Sequence, residues 1–145
     1  MIQQPVRVVI DTNVFVRYLL RIGAATRRLI EDFWLEDMII VVSAPELFQE
    51  LSQVLEREAI RAYIHPDEGL VLLETLQSKA EFLPPLGEVP AYSRDPKDDK
   101  FVACAIAAQA AFLISEDRDL LALGSLGEIQ ILTPYDFLRQ IEMPG

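Results

Sequence analysis

The sequence predicts an α/β fold, a parallel β-sheet sandwiched by helices in three layers. Short apolar runs alternate with helix-patterned stretches along the whole chain. The strand-like runs, such as Val6-Arg7-Val8-Val9-Ile10 and Met38-Ile39-Ile40-Val41-Val42, are apolar almost throughout. That is the pattern of parallel strands covered on both faces, rather than of strands with one wet side. Acids also stand just beyond two such runs, Asp11 after the first and Asp117 after Phe112-Leu113-Ile114. In open parallel sheets, functional groups collect beyond the carboxyl ends of the strands.

The elements follow in order. Residues 6–10 are the first strand, and residues 14–20 continue as a short helix. Residues 24–34 carry Leu29, Ile30 and Phe33 at helical spacing. Residues 38–42 form the second strand. Ser43 reads as the N-cap of the next helix, with Glu46 three residues on as its capping-box partner. That helix extends to about Glu56, with Leu47, Leu51 and Val54 along one side and Glu50 at the edge of the stripe. Residues 66–81 form another helix, opened by Pro66-Asp67-Glu68. Pro84, Pro85 and Pro90 make the stretch after it irregular. Residues 99–111 are an alanine-rich helix, residues 111–114 the third strand, residues 117–123 a short helix and residues 128–132 the fourth strand. Thr133 and Pro134 open a last helix to residue 141, as N-cap and first helical position.

The chain has 145 residues, 51% hydrophobic and 25% charged, and is expected to form one globular domain over residues 1–145. Its apolar runs are too short to span a bilayer. The first ten residues carry one Arg and no long apolar stretch, so no signal peptide is expected. Cys104 is the only cysteine, which excludes an intrachain disulfide and makes a cytoplasmic location the expectation. The net charge of −10, from 13 basic against 23 acidic residues, argues against holding nucleic acid by general electrostatics. It leaves room for a nucleic-acid enzyme whose acids are covered by metal.

Each acid has a bland reading beside a chemical one. Asp11 either caps the helix at residues 14–20 or offers a carboxylate at the strand exit. Thr12 and Asn13 either cap as well or orient Asp11, or a nearby carboxylate, by hydrogen bonds. Glu50 is either a solvated helix residue or a ligand facing the same edge. Of Asp95, Asp98 and Asp99, at least one belongs to a solvated loop or helix cap. Asp99, adjoining the apolar helix, is the one expected to face the strand ends. Asp117 or Ser115 caps the following helix, and Arg118 is expected to form an ion pair with a neighbour, with phosphate contact as its alternative. His65 stands alone and is expected in a surface loop.

Taken together and in order, these residues resemble the PIN-domain family of metal-dependent ribonucleases, over nearly the whole chain. The carrying segments are Val-Ile-Asp11-Thr12-Asn13, Ser43-x-x-Glu46-x-x-x-Glu50-Leu51, Asp95-Pro-Lys-Asp-Asp99-Lys-Phe-Val-Ala-Cys-Ala and Leu-Ile-Ser115-Glu-Asp117-Arg-Asp119-Leu-Leu. The likeness is strongest to the branch regarded as toxins of toxin–antitoxin pairs. The resemblance implies that Asp11, Glu50, Asp99 and Asp117 are the metal-binding and catalytic acids, supported by Asn13 and Ser115. It further implies endonucleolytic cleavage of single-stranded or looped RNA, and a small antitoxin that masks the site.

Phosphodiester hydrolysis adds negative charge to an anionic centre, and hard cations on carboxylate oxygens offset that charge. Mg²⁺ or Mn²⁺ suits such oxygens, and no Cys/His spacing suggests zinc. Carboxylates converging without metal repel, so some should have raised pKa values. Arg94, Lys97, Lys100 and Arg118 flank the acids as candidate phosphate contacts. Residues 24–34 and 66–81 carry apolar surface enough for a homodimer. Three rival readings stand beside the nuclease: a PIN-like binding module that no longer cuts, a phosphotransfer enzyme with a carboxylate nucleophile, and a structural domain in which caps explain every acid. Asn13 stands where the phosphotransfer chemistry commonly has a second aspartate.

Overall fold

The computed structural model describes residues 5–142. Residues 1–4, part of the stretch in which no signal peptide is expected, lie outside the described residues. The strands are β1 (Val6–Ile10), β2 (Ile39–Ser43), β3 (Glu81–Phe82), β4 (Phe112–Ile114), β5 (Ser125–Leu126) and β6 (Ile129–Leu132), in sheet order β3-β2-β1-β4-β6-β5. All pairings are parallel except β5 with β6. Val8 of β1 lies opposite Val41 on one side and Phe112 on the other. The central strands are thus apolar because both their faces are covered.

Alternate residues of each strand feed opposite cores. Val8, Ile10, Ile39, Val41 and Ile114 enter one core. It is closed by α1 (Thr12–Leu19), α2 (Ala24–Arg28) with its π-helical extension Leu29–Trp34, α3 (Pro45–Leu55), α5 (Pro66–Lys79) and α8 (Pro134–Glu142). Val9, Val42, Leu113 and Ile131 enter the other, beneath α6 (Asp99–Ala108) and α7 (Arg118–Leu121). The result is the three-layer α/β/α architecture. Arg7, the one polar residue of β1, donates from Nε to the Ala108 carbonyl at 2.9 Å and pairs with Glu81 at 2.5 Å. Cys104 is buried in the second core, and burial pushes its thiol up to about 12.

Several boundaries differ from the sequence reading, each for a local reason. Ser43 is the last residue of β2 and does not cap α3; Ala44 takes the N-cap position and Pro45 the first helical one. Glu46 forms no capping box: its Oε2 accepts from the backbone N–H groups of Leu86 at 2.7 Å and Gly87 at 3.3 Å, tying down the proline-rich loop. The helix expected over residues 24–34 turns π-helical at Leu29, and Trp34 at its end packs edge-on against Phe15, with ring centroids 5.9 Å apart. The α5 helix stops at Lys79 because Ala80 turns extended and leads Glu81 into pairing with Val42. The α6 helix ends at Ala108, three residues early, with Gln109 left-handed at φ 52° and Ala110 N–H bonding back to the Ala105 carbonyl.

Three short elements escaped the sequence reading: α4 (Glu58–Arg61), β3 and β5. The β5–β6 hairpin turns at Gly127, whose φ of 57° suits the first loop position of a two-residue turn. His65 caps α5, its Nδ1 accepting from Asp67 N–H at 3.2 Å. Thr133 caps α8 as expected, accepting from Asp136 N–H at 3.1 Å. Leu70 and Val71 remain exposed on the segment 66–81, one of the two expected to carry apolar surface. Among the described residues, no helix is long and apolar enough to cross a membrane.

Candidate metal centre

The acids gather at the carboxyl ends of β1 and β4, where parallel pairing delivers two chain segments side by side. Asp11 N–H bonds the Ile114 carbonyl at 3.0 Å, continuing the ladder one residue past β1. Asp11 has the backbone of an N-cap, yet its side chain makes no capping hydrogen bond. Instead its Oδ2 accepts from Ser115 Oγ at 2.7 Å. The same Ser115 oxygen accepts from Asp117 N–H at 2.9 Å, so one fully buried hydroxyl fixes both strand exits. Burial pushes Asp11 up to about 6; the Ser115 bond opposes the rise, Glu50 and Asp117 add to it, and the Asn13 amide lowers it.

Thr12 and Glu50 are joined directly, Thr12 Oγ1 donating to Glu50 Oε2. This bond draws Glu50 from α3 toward the strand ends. Asn13 differs from its expected role: its side chain is exposed and forms no hydrogen bond among the described residues. Only its backbone amide bears on Asp11. Asp117 is the N-cap of α7. Its Oδ1 caps α7, accepting from Asp119 N–H at 2.8 Å and Leu120 N–H at 3.3 Å, while its charge acts on Asp11 and Asp98.

The main difference from the sequence reading concerns the acidic run. Asp99, expected to face the strand ends, is buried, and its Oδ1 accepts from Tyr92 N–H at 3.0 Å and Ser93 N–H at 2.8 Å, anchoring the loop before it. Asp98, its neighbour, also stands close to acids of the centre. The turn Pro96–Asp98 is 3₁₀, capped by Asp95, whose Oδ1 accepts from Lys97 N–H at 3.0 Å. It delivers Asp98, 7% exposed, against Asp117 and within the field of Asp11. Asp98 is pushed up to about 7, by burial first, then by the Asp117 charge and a hydrogen bond with Asp117, then by Asp11 and Asp95. Among the described residues, the group whose carboxylate oxygens lie within 4.8 Å of one another is Asp95, Asp98 and Asp119; Asp11, Glu50, Asp99 and Asp117 are not brought that close together.

Among the described residues, Lys100 is the basic residue that touches an acid of the centre, pairing with Glu50. Arg94, Lys97 and Arg118 are exposed and form no ion pair among the described residues, so the pair expected for Arg118 is not made. A cavity of about 330 Å³ lies elsewhere, lined by α1, the π-helix and α5.

These residues fit a hard divalent cation. The donors are carboxylate oxygens alone, which suit Mg²⁺ or Mn²⁺. Asp98 Oδ2 is buried with no hydrogen-bond partner, a state costly for a carboxylate unless a cation or proton compensates. The raised values of Asp11 and Asp98 come first from burial, and neighbouring carboxylate charge adds to them.

Comparison with known proteins gives the lineage. A PIN-domain family model matches residues 7–119. Uncharacterized protein MJ1680 of Methanocaldococcus jannaschii is 23% identical over 145 residues, covering 94% of this chain and 92% of the relative. The PIN domain of human SMG5 is similar with a TM-score of 0.49 and 14% identity, covering 93% of this chain and 98% of that one. The PIN domain endonuclease Utp24 is similar with a TM-score of 0.53 and 16% identity, covering 90% and 86%. At such identity the Utp24 likeness speaks to the fold, and it agrees with the α/β/α layers described above. With a family model spanning both strand exits and the acidic run between them, the chain belongs to the PIN-domain family.

Proposed function

We propose that the chain is an endoribonuclease dependent on Mg²⁺ or Mn²⁺, hydrolysing phosphodiester bonds of single-stranded or looped RNA. The observation that carries this reading is the convergence of Asp11, Asp98 and Asp117, with Glu50 drawn in by Thr12, at the sheet edge where two parallel strands end. Placing unneutralised carboxylates together works against stability, so a site-level use is the economical account.

A divalent cation there supplies positive charge to the phosphate and acidifies water. The residues supply the rest. Ser115 holds Asp11 in one orientation, and the α7 cap holds Asp117. Asp98, buried beside Asp117, would serve as an acceptor that orients an incoming water. Arg94, Lys97 and Arg118, exposed and without ion pairs among the described residues, offer contacts to phosphates flanking the cleaved bond. A toxin role extends the same reading. A small antitoxin would silence the site by placing a basic residue among the acids, and a net charge of −10 favours a basic partner.

The test is cleavage of a single-stranded RNA in Mn²⁺ or Mg²⁺. Wild type should cut, chelator should stop it, and Asp11→Asn should lose at least ~100-fold in rate, more than the loss of a residue that only orients a ligand. RNA that is bound but never cut, at any metal concentration, would turn the reading toward a PIN-like binding module. Full metal-dependent activity in Asp11→Asn would remove Asp11 from the site.

A further inference from the structure

Lys100 occupies the first turn of α6, where the helix dipole disfavours a cation. Its ammonium nevertheless points at the acid cluster, donating to Glu50 Oε1 at 2.6 Å, with both side chains 24% exposed. Glu50's other oxygen accepts from Thr12. Both oxygens of the one acid that reaches the centre from α3 are therefore occupied by the chain's own donors. No other Lys or Arg pairs with Asp11, Glu50, Asp98 or Asp117 among the described residues.

We propose that Lys100 is a resident counter-cation of Glu50, sitting at the oxygen a divalent ion would use and released toward the substrate phosphate when that ion binds. The inference rests on the metal-dependent reading above. Two cations cannot share one carboxylate oxygen closely without strong repulsion, so ion entry and the Lys100–Glu50 pair compete. The pair holds Glu50 in place while the centre is empty, and it limits metal affinity. Its release places a mobile ammonium beside the cation, where it can meet a phosphate oxygen. Lys100 is thus a positioning residue first, and phosphate contact is its second task.

The experiment is calorimetric titration of the intact chain with Mn²⁺ alone. It compares wild type, Lys100→Met, Lys100→Arg, Glu50→Gln and the Glu50→Gln/Lys100→Met double variant, each first shown to melt cooperatively. Lys100→Met should bind Mn²⁺ about fivefold to tenfold tighter, the upper figure equal to ~1.4 kcal/mol. Lys100→Arg, which keeps the charge, should bind like wild type. In the Glu50→Gln background the same Lys100→Met change should alter affinity about twofold or less, because the competing pair is already gone. Equal affinity of wild type and Lys100→Met would overturn the inference and leave the metal centre standing. An equal gain in both backgrounds would also overturn it, reducing Lys100 to general repulsion. Absence of saturable binding in every variant would overturn the metal centre itself, and this inference with it.

Discussion

Asp98→Asn should abolish the response to divalent metal and lower RNA cleavage by at least ~100-fold, while Asp99→Asn should leave both nearly intact. The two residues are adjacent and chemically identical, so the contrast isolates geometry. Asp98 is buried beside Asp117 with Oδ2 unpartnered. Asp99 spends Oδ1 on two backbone amides of the preceding loop. An asparagine at position 99 retains an oxygen that can accept from both amides, at a cost of about 1 kcal/mol for exchanging charged for neutral acceptors. At position 98 an asparagine removes both the ligand charge and its repulsion with Asp117. Metal-free Asp98→Asn should therefore melt higher than wild type at pH 8, although it no longer cuts. Loss of activity in Asp99→Asn with retention in Asp98→Asn would return the third ligand to Asp99.

Stability of the metal-free protein should fall as pH rises from 5 to 8, the reverse of ordinary acid denaturation. Asp11 and Asp98 titrate at about 6 and about 7 in the folded chain against an ordinary 3.8. Between the ordinary and the folded values the native state holds protons that the unfolded chain has released. Stability is therefore fully present below about pH 4 and is lost progressively through pH 6 and 7. The two groups act on each other and do not add independently, and a combined effect on the order of 3 kcal/mol is expected. At still lower pH the loss of carboxylate charge in ion pairs generally works in the opposite sense. Urea melts at pH 5, 6, 7 and 8 in chelator measure the trend. Saturating Mn²⁺ should flatten it at the alkaline end, and Asp98→Asn should flatten it without metal. A stability that rises steadily from pH 5 to 8 in chelator would contradict the electrostatic account of the cluster.

Much of the framework was legible because burial on two faces leaves a direct imprint. The apolar runs at 6–10 and 112–114 are strands, and the acids after them stand where the sheet ends. Ser115 was legible as a support through the family resemblance, and the structure gives its bonds to Asp11 and Asp117. What stayed hidden depended on contacts distant in sequence or on rotation within a single turn. Successive helical residues diverge by about 100°, so nothing in the run Asp95-Pro-Lys-Asp-Asp distinguishes the acid facing the sheet from the one facing the loop. The 3₁₀ turn that brings Asp98 beside Asp117 becomes visible only in three dimensions. Glu46 matched a capping box locally, yet its partners are amides 40 residues away at Leu86 and 41 away at Gly87. The strands at 81–82 and 125–126 are too short to display a period. Gln109 ends α6 in a left-handed conformation that glycine usually marks, so the alanine-rich pattern ran past the true stop.

The central claim is that the carboxylates at the ends of β1 and β4 form a divalent-metal centre. Its most direct test is thermal unfolding at pH 8 with and without Mn²⁺, on wild type and Asp11→Asn together. An ion binding only the native chain at ~100 times its dissociation constant adds about 2.7 kcal/mol, a rise of roughly 5–10 °C for a chain of this size. The account predicts that rise in wild type and little or none in Asp11→Asn. An unchanged melting temperature in wild type, or an equal rise in both proteins, would contradict it.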